Sequence, residues 1–111
     1  MQVTSKFLLR VSNKIGVLHQ KLLNKLLTRS RAVVHNSIEM QFYVSNSLSS
    51  YRVKTFASKE PETLTWIESF DKDSVFWDIG ANIGLYSVYA AKSKNIQVYA
   101  FEPSVFNLEL L

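Results

Sequence analysis

The chain contains no cysteine, which at one stroke excludes a disulfide scaffold, a thiolate metal site and a cysteine nucleophile. Glycine is scarce, at three residues, and proline scarcer, at two. No internal repeat or low-complexity segment is present. No run approaches the roughly 18 consecutive apolar residues that a transmembrane helix needs. Acidic residues are missing from the first 38 positions; the first is Glu39. What remains is a chain of 111 residues, 47% hydrophobic and 20% charged. That length suits one small domain, and that composition is not disordered.

The charge is divided unevenly. Lys6, Arg10, Lys14, Lys21, Lys25, Arg29 and Arg31 give the first 38 residues a charge of +7, and the remainder carries −3. The two parts are therefore read separately. Over residues 6–27, Leu8, Val11, Ile15, Leu18, Leu22 and Leu26 recur at steps of three and four, one face of a 3.6-residue period. Lysines and Arg10 fall on the adjoining face, so the spacing predicts a basic amphipathic helix, weakened by Gly16 at about 1 kcal/mol relative to Ala. Such a helix suits packing against the rest of a larger protein first. Weak contact with an anionic membrane surface comes second. Nucleic acid is not expected as a partner, because Phe7 is the sole aromatic in the stretch and no binding motif is present. A cleaved export signal fits poorly, since no short apolar core ends at a small-residue cleavage site. The expected location is cytoplasmic, with membrane-peripheral contact through residues 6–27.

Residues 38–45 alternate strictly. Ile38, Met40, Phe42 and Val44 take one side, and Glu39, Gln41, Tyr43 and Ser45 the other, which predicts a half-buried strand. After the polar break 46–50, residues 51–56 are ambiguous between a weakly alternating strand and a short helix capped by Asn46. Residues 60–70 read as a helix, with Pro61 in its first turn and Glu60 and Glu62 near the positive end of its dipole. Val75–Ile79 is an almost continuous apolar run, as in a parallel strand covered on both faces. A glycine loop (80–84), a helix (85–92), a second apolar strand (96–101) and a helical pattern from Ser104 follow. That order is a right-handed β-α-β unit. Two parallel strands do not make a stable sheet alone, so the chain reads as the front end of a larger α/β domain.

Chemistry is concentrated at Asp78, Gly80, Ala81, Asn82, Gly84 and Glu102. Glycines in a strand-to-helix loop allow positive φ and let a ligand approach bare backbone. Glu102 ends the next strand, where an acid can accept hydrogen bonds from both hydroxyls of a ribose. Open α/β sheets bind ligands at this carboxyl edge, so the pair predicts an adenosine-type cofactor. The dinucleotide fingerprint G-x-G-x-x-G is not met: Asn82 stands where backbone would approach a pyrophosphate. The P-loop lysine and hydroxyl are also missing, since Leu85 and Tyr86 follow Gly84. A cofactor without phosphate, such as S-adenosylmethionine, fits better than NAD or ATP.

Competing structural readings stand beside these. Gly80 and Gly84 alone make a tight turn as readily as a ligand loop; Glu102 at its spacing favours the ligand. Asp78 either touches ligand or braces the loop through its backbone N–H groups. Asn82 alternatively caps the following helix. Tyr86 and Tyr89 read as packing, and Trp66 and Trp77 as core or cover residues. His19 and His35 are isolated from any carboxylate cluster, and no metal motif is present.

The strings Asp-Ile-Gly-Ala-Asn-Ile-Gly (78–84), Leu-Tyr-Ser (85–87) and Val-Tyr-Ala-Phe-Glu-Pro-Ser (98–104) closely resemble the FkbM family of S-adenosylmethionine-dependent methyltransferases. Lys-Glu-Pro-Glu-Thr (59–63) with Trp66-Ile67 is similar to that family's lead-in segment. The resemblance covers roughly residues 38–111. It implies a truncated Rossmann-like class I methyltransferase fold, represented by its first β-α-β unit and preceded by an N-terminal helix and a short β/α lead-in. It divides the chain into a basic amphipathic helical segment (1–37), a strand and helix lead-in (38–74) and the incomplete start of the S-adenosylmethionine-binding domain (75–111). Residues Asp78 through Gly84 would line the methionine and ribose part of the cofactor, and Glu102 would hold the ribose hydroxyls. The implied reaction is O-methylation of a sugar, glycan or secondary-metabolite hydroxyl, with the catalytic residue unassigned and these 111 residues inactive by themselves. The alternatives are a nucleotide-binding α/β oxidoreductase and a non-enzymatic remnant whose basic helix binds a membrane or partner.

Overall fold

The computed structural model describes residues 13–23 and 29–111. They form a mixed α/β structure with two separate two-stranded sheets. Residues 13–23 are helix α1, and every one of them is exposed. The rest of the amphipathic stretch, 6–12 and 24–27, lies outside the described residues. The helical segment assigned to 1–37 needs correction at its end, because Arg29–His35 is strand β1. It pairs antiparallel with β2, Ile38–Val44. The turn between them is Asn36-Ser37, with φ of 47° and 64°. Positive φ at both central residues is the geometry that matches the twist of a tight hairpin.

Strand β2 buries its alternation as the sequence predicts. Met40, Phe42 and Val44 are buried while Glu39, Gln41 and Tyr43 face solvent. The ambiguity at 51–56 resolves as helix. Asn46 caps α2, Ser47–Lys54, by accepting from the Ser49 N–H at 2.8 Å, and the Ser49 hydroxyl faces the Asn46 N–H in return. A short turn α3, Phe56–Lys59, leads to α4, Pro61–Glu68, shorter at both ends than the predicted 60–70. Strand β3, Val75–Ile79, then pairs parallel with β4, Gln97–Phe101, across helix α5, Leu85–Lys94. The register sets Val75 beside Gln97 and Ile79 beside Phe101, so both strands end level. Helix α6 is brief, Val105–Leu108.

The core lies where these elements meet. Val53, Phe56, Leu64 and Ile67 from the lead-in helices pack with Met40, Phe42 and Val44 of β2 and with Phe76, Ile83, Tyr89, Ala90 and Ile96 of the β-α-β unit. The Tyr89 ring sits edge-on to Phe56 at 5.6 Å and to His35 at 5.3 Å, joining the hairpin to α3 and α5. Trp66 covers this core from outside, 4.8 Å from Phe70 and 5.9 Å from Phe76.

The expectation that β3 is covered on both faces does not hold among the described residues. Phe76 points into the core, but Trp77 is 62% exposed and Ile79 78% exposed. Tyr99 and Phe101 of β4 share this open face, and Trp77 packs against both rings. The apolar run in β3 is physically a run of two kinds: one side reaches the core and the other meets solvent. Packing makes a contrast testable by chemical denaturation. Ile67→Ala, at a fully buried site, should lose about 2–5 kcal/mol of stability, while Glu62→Ala on the exposed side of α4 should stay within about 0.5 kcal/mol.

Candidate functional site

The loop after β3 has little choice of shape. Gly80, Asn82 and Gly84 have φ of 86°, 58° and 78°. Glycine reaches this left-handed region without a Cβ clash, and asparagine tolerates it better than most side chains. A residue of the Asn82 type thus has a backbone reason to be there. It does not cap α5: that N-cap is Gly84, and no side chain bonds there. A Cβ on Gly80 would meet nothing within 4 Å, so bare backbone faces open space. A Cβ on Gly84 would collide with the Leu111 side chain. That contact is with the movable end of a side chain, so it is the positive φ that calls for glycine at this buried position.

The end of β4 holds this loop in place. The Phe101 carbonyl accepts from the Gly80 and Ala81 N–H groups, at 2.8 and 3.0 Å. Next along the chain, Glu102 Oε2 accepts from the Asn82 N–H at 2.7 Å. Glu102 is therefore turned toward the bend. Its Oε1 accepts from the Ser104 N–H at 2.8 Å and, more weakly, from Asn107 Nδ2 at 3.4 Å. The Ser104 N–H, then those of Asn82 and Asn107 with the Arg52 charge, hold the Glu102 carboxyl below its ordinary value of 4.5, against some desolvation. A carboxylate offers about four acceptor positions. Three donors use three of them, so Glu102 can receive one ligand hydroxyl directly and a second where Asn107 yields. That fits a ribose edge.

Asp78 occupies the penultimate position of β3. Its Oδ2 accepts from the Ser87 hydroxyl at 2.6 Å, so it braces the first turn of α5 through a side chain and not through loop N–H groups. It also lines a cavity of about 200 Å³ together with Gly80, Ala81, Asn82, Arg52 and Glu60. Thr55, Phe56, Lys59, Leu85 and Tyr86 complete the wall. Glu102 stands outside it and lines a second, more open depression with Ile79, Gly80, Ala100, Phe101, Pro103 and Leu108. Gly80 lines both spaces. Of the six residues singled out in the sequence, Asp78, Gly80, Ala81 and Asn82 thus share one cavity wall, Glu102 closes on the same loop from the far side, and Gly84 is a buried part of the turn.

Sequence reasoning missed the opposite wall. Arg52, Lys59 and Glu60 come from α2, α3 and the joint before α4, some 20–30 positions upstream, and no spacing rule links them to the loop. Tyr86, read as packing, donates to Glu60 Oε2 at 3.1 Å. Burial, reinforced by that bond and by the charges of Glu60, Glu62 and Asp78, pushes its phenol up to about 12. His35, read as isolated, lies 3.5 Å from Glu68 Oε1, which also accepts from Tyr89 at 2.6 Å and from Asn36 at 2.6 Å. Among the described residues no three His, Asp or Glu side chains gather as a metal site.

The Glu102 contacts predict a signed pH dependence. A carboxyl whose folded value is depressed contributes stability that is present above its unfolded range and lost as pH falls through the folded value. The stability gap between the parent chain and Glu102→Gln should hold constant through neutral pH, then shrink as pH falls from about 4.5 downward; a gap that grows on acidification contradicts it. Compared with known proteins, the chain matches no family model, no curated protein and no solved structure.

Proposed function

We propose that the chain is the cofactor-binding part of an S-adenosylmethionine-dependent methyltransferase of the FkbM type, acting on a hydroxyl of a sugar or secondary metabolite. The observation that carries this reading is the Glu102 carboxylate closing on a bare-backbone bend, with Asn82 N–H at 2.7 Å and Gly80 facing open space. Glu102 would take the ribose hydroxyls, and residues 80–82 the part of the cofactor nearest the bend. When bound, S-adenosylmethionine supplies an electrophilic methyl group on a sulfonium.

This chain's own contribution is placement. The loop is fixed at three successive N–H groups, so bringing a cofactor to it costs little reordering. Methyl transfer needs donor and acceptor at near-attack distance, and a rigid cradle supplies half of that geometry. The absence of a P-loop lysine and the side chain on Asn82 favour a ligand without phosphates. Calorimetric titration of the chain with S-adenosylmethionine should give saturable heat that NAD(H) does not compete away. Silence at millimolar ligand, or displacement by NAD(H), defeats the proposal.

A second reading concerns α1 alone. All its described residues are exposed, among them Ile15, Leu18 and Leu22 on one stripe with Lys14 and Lys21 close by. No helix among the described residues is long and apolar enough to cross a membrane. A basic apolar stripe is instead the pattern of a helix lying in an anionic interface. The chain should co-sediment with vesicles containing anionic lipid at low salt. High salt should release it, and Lys14→Glu with Lys21→Glu should abolish pelleting. Equal pelleting with neutral vesicles excludes this role.

A further inference from the structure

The inward side of the hairpin changes character at one end. Val33 and His35 of β1 are half-buried, and the register sets them across from Met40 and Ile38. Side chains alternate along a strand, so Arg29 and Arg31 lie on that same side. Their partners across the ladder are the buried Val44 and Phe42. The inward face of β1 thus carries a guanidinium twice in succession. The two residues stand about 7 Å apart along the strand. Like charges so placed repel. Neither belongs to an ion pair among the described residues, and no acid precedes Glu39 in the chain.

Arg29 and Arg31 line a cavity of about 370 Å³ with residues from the end of β2 and the start of α2. Ser45, Asn46, Ser47 and Ser50 form the rest of its polar wall, and no carboxylate is among the lining residues. The first turn of α2 holds no acid either. Asn46 is occupied locally: its Oδ1 accepts from the Ser49 N–H at 2.8 Å and its Nδ2 donates to the Ser45 hydroxyl at 3.3 Å. The serine hydroxyls rotate to suit a partner. A cation does not suit this wall. One carboxylate has two oxygens, fewer than two guanidinium forks and three hydroxyls can engage. A phosphate group brings three acceptor oxygens and close to two negative charges. An inward charge on an edge strand also serves to block pairing with another chain. That role needs neither a cavity nor converging hydroxyls.

We propose that this cavity binds a phosphate group, with the Arg29 and Arg31 guanidiniums holding its oxygens and the Ser45, Ser47 and Ser50 hydroxyls adding neutral donors. The volume lies within the roughly 300–1,000 Å³ of small-molecule pockets, so room remains for the first atoms of what carries the phosphate. Both arginines are exposed, which leaves the site open to a soluble phosphate ester and to a lipid headgroup alike. It shares no lining residue with the cavity beside the glycine loop, and it stands whether or not the chain takes S-adenosylmethionine.

The test is calorimetric titration of the full 111-residue chain with inorganic phosphate, at an ionic strength held constant with chloride. Binding should saturate. Arg29→Gln with Arg31→Gln should weaken it about tenfold or more, the scale of lost charge-assisted bonds. Arg29→Lys with Arg31→Lys should keep part of the affinity, because lysine keeps the charge and loses the fork. Lys14→Glu with Lys21→Glu should change nothing, which separates this site from α1. Without phosphate, the double Gln variant should melt no lower than the parent, since a repulsion is removed. Added phosphate should raise the melting temperature of the parent and leave that of the double Gln variant where it was. Two further probes separate the sources: glycerol 3-phosphate, and a short-chain phosphatidic acid below its micelle concentration. Tighter binding of the lipid, lost in the double Gln variant, assigns a headgroup; equal or weaker binding of the lipid assigns a soluble ester. Failure of phosphate to saturate the parent, or equal affinity in the double Gln variant, overturns the proposal. So does a double Gln variant that aggregates while phosphate leaves the parent's melt unmoved, the mark of a charge that only guards an edge.

Discussion

Three consecutive backbone donors, on Gly80, Ala81 and Asn82, are held by two consecutive residues at the end of β4. Everything at the site depends on this clasp. The parallel register of β3 and β4 brings Ile79 level with Phe101, so the chain leaves both strands at one height. The Phe101 carbonyl and the Glu102 carboxylate then meet the loop as it turns. Positive φ at three of its five positions folds those donors inward. The same bonds that shape the loop also use most of the capacity of Glu102. That acid is a structural strut, with three protein donors on its two oxygens.

The lead-in elements matter to the site for a second reason. Helices α2 and α3 are anchored by Val53 and Phe56, both buried, and this anchoring brings Arg52 and Lys59 to the cavity rim. Phe56 also touches the rings of Tyr86 and Tyr89, so the face of α5 that borders the cavity is packed against the helix that supplies its opposite wall. Burial holds both phenols neutral up to about 12. Raising pH from 10 toward that value costs stability, because an unfolded chain releases those protons first.

Much of this was legible in the residue order, for stated reasons. Strict alternation over 38–44 settles which side of β2 is buried, because a strand has a period of two. The glycine loop and Glu102 stand at the ends of two strands whose apolar runs are easy to see. Strand β1 was not legible. Its Arg29, Ser30 and Arg31 are exposed and continue the basic composition of the preceding helix, so the charge pattern runs across a change of structure. The pointer available was local: two β-branched valines before an Asn-Ser pair able to take positive φ. Arg52 and Glu60 were illegible as site residues because only tertiary packing brings them to the loop. The apolar run of β3 misled in one respect. Hydrophobicity on both sides of a strand reports an affinity for cover, and among the described residues that cover is present on one side.

The β3–β4 ribbon has no interior strand, so each strand presents one row of backbone amides and carbonyls with no sheet neighbour among the described residues. Trp77, Ile79 and Phe101 flank those rows with exposed apolar surface. Such a ribbon is a template on which another extended segment can grow. Handling of the protein is consequently a kinetic contest. Shielding of that template, by whatever surface docks there, must outrun chain-to-chain accretion, and dilution or a lowered temperature during synthesis tilts the contest toward solubility.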